Sequence, residues 1–124
     1  MTSAMKLSDA ELELMAILWG RSPLAASEII AAAPADRDWS PTTVKTMLSR
    51  LVEKGALRTT AQGRRFLYAP AIGRESVAAD QAGRLVDRLF GGRLSPLVAQ
   101  LAASRDLSDE DLAELEKLVR GLRK

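Results

Sequence analysis

The stretch from Trp39 to Gly55 constrains this chain more than any other. Ser40-Pro41 opens a helix there, because serine caps the first free amides and proline suits the first helical position. Gly55 closes it after Lys54. In between, Val44, Met47, Leu48, Leu51 and Val52 recur at i, i+3, i+4, i+7 and i+8, which makes one apolar face. Thr42, Thr43, Lys45, Thr46, Ser49 and Arg50 occupy the rest of the wheel. A solvated face of an ordinary helix carries Glu–Lys pairs four residues apart. Here the acid is Glu53, at the far end. The segment must therefore dock by one side on a small body and show a short, polar, cationic side outward.

What surrounds it says which body. Ser8-Asp9-Ala10-Glu11 has the form of a capping box, so a helix starts near Ser8 and runs through Leu12, Met15, Ala16, Leu18 and Trp19 until Gly20 and Pro23 stop it. Leu24-Ala25 has room for a very short strand. Ala26 to Ala33 then reads as a short second helix before Pro34. Beyond Gly55, Ala56 to Thr60 and Arg65 to Ala69 alternate like strands around Ala61-Gln62-Gly63-Arg64, a hairpin with glycine in its turn. Three helices and a hairpin are the order of a winged helix, a helix-turn-helix variant whose third helix enters the major groove. That order also serves protein–protein modules, so the surface has to decide.

Charge favours DNA. From Ser40 to Ile72, six cations (Lys45, Arg50, Lys54, Arg58, Arg64, Arg65) face the single acid Glu53, a net +5, whereas nine cations and nine acids cancel from Gly73 to Lys124. A cationic field confined to helix three and the wing is what attraction to a phosphate backbone requires. Thr42, Thr43, Lys45, Thr46 and Ser49 are the expected base readers, since hydroxyls, threonine methyls and Lys all match groups on base edges. Arg50 and Lys54 are expected on phosphate, and Arg64 and Arg65 at the hairpin tip on sugar-phosphate or in the minor groove. Trp19, Trp39, Phe66 and Tyr68 are assigned to the core, with Leu7 stapled onto Leu12.

Absences narrow the alternatives. The 124 residues contain no cysteine and no histidine, which removes disulfides, thiolate metal sites and the commonest general bases, and no cofactor is expected. Asp36/Asp38 and Asp109/Glu110/Asp111 are the tight acid groups, and they read as a loop and as acids favoured at a helix start. An enzyme is not expected. No apolar run nears the roughly 20 residues that span a bilayer, and Met1 to Lys6 lacks a signal-peptide stretch, so the expected location is cytoplasmic, without membrane insertion.

Past Pro70 and Gly73 the chain reads as three more helices: Arg74 to Phe90 with Val77, Ala78, Leu85, Val86 and Leu89 on a stripe; one opened by Ser95-Pro96; and one opened by Ser108. About 50 residues with a leucine stripe bury too little alone, and a second copy would cover them. Leu85, Leu89, Leu97, Leu101, Leu112, Leu115, Leu118 and Val119 are the expected dimerisation residues. The expected fold is mostly α with a small β-hairpin: a winged helix-turn-helix DNA-binding domain over 1–72 and a C-terminal three-helix dimerisation region over 73–124. The partners are then double-stranded operator DNA and a second copy.

Asp38-Trp39-Ser40-Pro41-Thr42-Thr43-Val44, Leu51-Val52-Glu53-Lys54-Gly55 and Phe66-Leu67-Tyr68 resemble the BlaI/MecI penicillinase-repressor family. Leu7 to Glu11 with Trp19, and Phe90-Gly91-Gly92 through Asp106-Leu107-Ser108, agree. The resemblance runs from about Leu7 to Leu122. It implies a dimeric winged-helix repressor on a palindromic operator of resistance or stress genes and of its own operon, released through a membrane-bound sensor-protease pathway. The family's cleaved Asn-Phe bond matches Gln100-Leu101 here, without the aromatic residue. Copper-sensing members carry a C-terminal cysteine cluster, which this chain lacks.

Overall fold

A computed structural model describes residues 6–123; Met1 to Met5, which make up most of the stretch tested for a signal peptide, and Lys124 lie outside them. The elements follow as α1 (Asp9–Gly20), β1 (Leu24–Ala25), α2 (Ala26–Ala32), a 3-10 turn (Ala35–Arg37), α3 (Pro41–Glu53), β2 (Leu57–Gln62), β3 (Arg65–Pro70), α4 (Arg74–Phe90), α5 (Leu94–Ser104) and α6 (Asp109–Leu122). The chain divides into two compact units, 1–81 and 82–124. The division falls inside α4 because Val77, on its first turn, is buried in the core of the first unit.

Ser8 and Glu11 form the expected box at the start of α1: the Glu11 amide donates to Ser8 Oγ at 3.1 Å and the Ser8 amide to Glu11 Oε1 at 2.8 Å. The buried stripe of α1 is rotated from the expected one, with Leu14, Met15 and Leu18 fully covered and Ala16 in solvent. α1 packs against both α2 and β3, and Leu14 belongs to the core cluster they share. Leu7 and Leu12 both lie against this core.

The hairpin is part of a three-stranded antiparallel sheet of order β1-β3-β2, in which Leu24 pairs with Tyr68 and Ala25 with Leu67. Two residues of β1 suffice because β3, already held by β2, offers a free edge. The hairpin loop is two residues, Gly63-Arg64, rather than four, since Gln62 and Arg65 pair. Gly63 takes φ 63°, the sign that the first position of a type II′ turn demands.

In the second unit Ser108 caps α6 by accepting from the Asp111 amide at 3.0 Å, and Asp109, Glu110 and Asp111 fill its first turn. Against the cap-then-proline pattern of Ser95-Pro96, Ser95 does not cap α5. The helix opens at Leu94 behind Arg93, and Pro96 sits in a first turn whose amides have no helical partner to lose. Val86 is buried, Leu85 and Leu97 are half-buried, and Leu89, Leu101, Leu112, Leu115, Leu118 and Val119 are exposed, Leu118 by 63%. No helix of the described residues is long and apolar enough to cross a membrane.

Candidate nucleic-acid interface

Three local devices aim α3. At its start, Ser40 Oγ accepts from the Thr43 amide at 3.0 Å, with Pro41 at the first helical position. At its end, Gly55 (φ 84°) lets the chain reverse: the Gly55 amide donates to the Val52 carbonyl at 3.0 Å and the Ala56 amide to the Leu51 carbonyl at 2.9 Å, the Schellman pattern. Along its length, Val44, Met47, Leu48 and Leu51 are buried against the body, while Val52 is only half-covered.

The opposite side is open. Thr42, Thr43, Lys45, Thr46, Ser49 and Arg50 are all exposed on one surface of α3. Thr46 donates its hydroxyl proton to the Thr42 carbonyl at 2.9 Å, which leaves its methyl and oxygen lone pairs outward. Thr43 and Ser40 share a hydroxyl contact of 2.9 Å at the helix start. The surface is therefore a row of short hydroxyl groups with two long cations, a composition suited to base edges and phosphates.

The wing adds its own cations. Arg64 stands in the turn, and the Arg65 guanidinium donates to the opposing Gln62 Oε1 at 3.0 and 3.3 Å, which orients it while leaving donors to spare. Arg58 is braced on the Pro70 carbonyl at 3.1 Å.

Lys54, expected on phosphate, has partners within the fold. Its ammonium donates to Glu11 Oε1 at 2.7 Å and to the Lys6 carbonyl at 2.8 Å, so it ties the end of α3 to the start of α1. Glu11 is 4% exposed. A carboxylate so buried needs a counter-charge. Part of the Lys54 charge is thus engaged by Glu11, while the other five cations between Ser40 and Ile72 stand on the exposed side of α3 or on the wing.

Burial pushes the Glu11 carboxyl up, but the hydrogen bonds from Lys54 and Ser8 and the Lys54 charge outweigh it, and the net shift is downward from 4.5. A depressed acid contributes stability above its unfolded value and loses it as pH falls through the folded one. Urea midpoints are therefore expected to fall below about pH 4.5 for the native chain. In Lys54→Met they should be lower at neutral pH by about 1–3 kcal/mol of unfolding free energy. Equal midpoints for the two chains at pH 7 would remove this clamp from the fold.

The aromatic residues divide. Trp19 donates to the Ile72 carbonyl at 3.0 Å and carries the Arg74 guanidinium 5.8 Å from its ring centre; Trp39 carries Arg37, which is ion-paired with Glu13 of α1. That pair holds the Glu13 carboxyl below its ordinary range. Both tryptophans and Tyr68 pack on the core, as expected. Phe66 does not: it is 58% exposed in the cleft between α3 and β3. Residues 66 and 68 share a side of the strand, so alternation alone could not separate them; only the distance to the core does.

The penicillinase repressor family model matches residues 7–121, which is nearly the whole of this two-unit arrangement. The chain belongs to that family. It is 34% identical to the penicillinase repressor of Bacillus licheniformis over 92% of its own length and 89% of that protein. It is 26% identical to the methicillin resistance regulatory protein MecI of Staphylococcus aureus strain N315, over 92% and 93% of the two chains. Among solved structures, the DNA-binding domain of the repressor BlaI covers 60% of this chain and 90% of itself at 42% identity, with a TM-score of 0.53. This penicillinase-repressor family member is thus a winged helix-turn-helix, DNA-binding transcriptional repressor, which is not an enzyme class.

Proposed function

We propose that the chain acts in the cytoplasm as a dimer, with two copies of α3 in successive major grooves of a palindromic operator, and represses resistance or stress genes together with its own operon. The observation that carries this is the exposed face of Thr42, Thr43, Lys45, Thr46, Ser49 and Arg50, in which no acid stands among the groove-facing residues. Thr42, Thr43, Lys45, Thr46 and Ser49 read bases, while Arg50, Arg64 and Arg65 grip the backbone.

The leucines of α4 to α6 support the dimer. Six of the eight expected contact residues lie in solvent on a single copy, which is an apolar surface in need of a cover. Cover by a second copy would set two recognition helices about one helical turn, ~34 Å, apart. Induction through a membrane-bound sensor protease belongs to the same reading. The Gln100-Leu101 bond lies on α5 beside that leucine surface, so a cut there would divide it.

Selection of bound duplexes from random sequence, followed by binding across a range of salt, tests the proposal. A palindrome is expected, with affinity that falls steeply as salt rises. Thr43→Ala and Thr46→Ala should change the preferred bases. Arg64→Ala should weaken every duplex and lower the salt slope by about one. Recovery of no common sequence, or equal affinity for unrelated duplexes, would overturn it.

A further inference from the structure

The winged helix leaves one large apolar side chain uncovered. Among the described residues of 1–81, Phe66 is the single large hydrophobic residue exposed, and the other such residues all lie in 82–124. Its ring stands between two adjoining hollows. One, of about 470 Å³, is bounded by Ser27 and Ile30 of α2, Lys45 and Ser49 of α3, and Arg65 and Tyr68 of β3. The other, of about 290 Å³, is bounded by Val52, Glu53 and Thr59. An occupant of the larger hollow meets a cation on either side, Lys45 from the helix and Arg65 from the wing, with the aromatic ring alongside. Such an occupant carries negative charge and an apolar face together.

Duplex DNA presents that combination at one place. With α3 in the major groove and the hairpin tip in the adjacent minor groove, the strand that separates the two grooves has to run through the cleft between α3 and β3. A phosphate of that strand then falls to Arg65, while Lys45 lines the same hollow on its way to the bases. The strand's deoxyribose, the apolar part of the backbone, falls to Phe66. We infer that Phe66 packs on a deoxyribose of this strand and seats the backbone between helix and wing, an inference that rests on the DNA-binding reading above. The contact is to sugar and carries no net charge. It adds affinity without sequence preference and without counterion release.

The full-length chain, the duplex recovered by random-sequence selection and a scrambled duplex of the same composition test this. Failure of the native chain to bind either duplex would count against the DNA-binding reading itself. With native binding in hand, Phe66→Ala is expected to weaken both duplexes by about tenfold at every salt concentration, with the slope of log affinity on log salt unchanged. Phe66→Leu should restore most of the loss and Phe66→Ser none. An unchanged affinity, a lower slope, or a loss confined to the selected duplex overturns the assignment. Nuclear Overhauser contacts in the native complex give a readout that needs no substitution. Contacts from the Phe66 ring to sugar protons are expected; contacts to thymine methyls, or none to DNA, overturn it.

Discussion

Cut after Gln81, the chain is expected to bind a palindromic operator about 10²–10⁴-fold more weakly than the full chain, because tethering two half-site binders makes the second contact effectively intramolecular. The cut belongs after Gln81 and not after Ile72. Val77 is buried in the core of the first unit, and removing it would confuse lost folding with lost dimerisation. An unchanged thermal transition together with a monomeric mass in sedimentation would show that only assembly had been removed. Binding of a single half-site should then be the same for both lengths. If the shortened chain holds the whole palindrome as tightly as the full chain, the C-terminal helices have no part in operator binding.

Leu48→Ala is the second large effect, and it acts on the other side of the recognition helix. Leu48 is fully buried, in a cluster with Leu14, Leu18 and Leu51. Truncating a leucine at such a site costs about 2–5 kcal/mol through lost transfer energy and the cavity left behind. Total stability for a chain of this kind is of the order of 5–15 kcal/mol. The urea midpoint should drop accordingly, and binding at moderate temperature should fall with the folded fraction. Thr42→Ala, almost two turns away and exposed, should change the unfolding free energy by less than about 0.5 kcal/mol. A small effect of Leu48→Ala would mean that α3 does not rest on this core.

Much of the architecture was legible from local signals. Ser8 with Glu11, Ser40 with Pro41, Gly55 and Ser108 each satisfy or release specific backbone groups, and each fixes an element boundary by itself. Ser95-Pro96 failed as a boundary because a serine next to proline is also tolerated inside a first turn, where no helical bond is at stake. The outward face of α3 was legible too, since five apolar residues at helical spacing leave one orientation for the rest.

Lys54, Phe66 and Leu14 were not legible, and the cause is common to all three. A cation after a recognition helix looks like a phosphate ligand until Glu11, 43 residues earlier in the chain, is found against it. An aromatic residue on a strand looks like core until its distance from the core is known. Leu14 looks peripheral on the expected stripe, but α1 packs against both α2 and β3 and Leu14 is fully buried. By itself the sequence determined the elements, their order, the divided character of α3 and the place of the positive charge, because these depend on interactions within a few residues. Only the tertiary structure decided that Lys54 meets Glu11 and that Phe66 stands open beside Lys45 and Arg65. Those outcomes depend on which distant side chains meet, and no local pattern encodes such meetings.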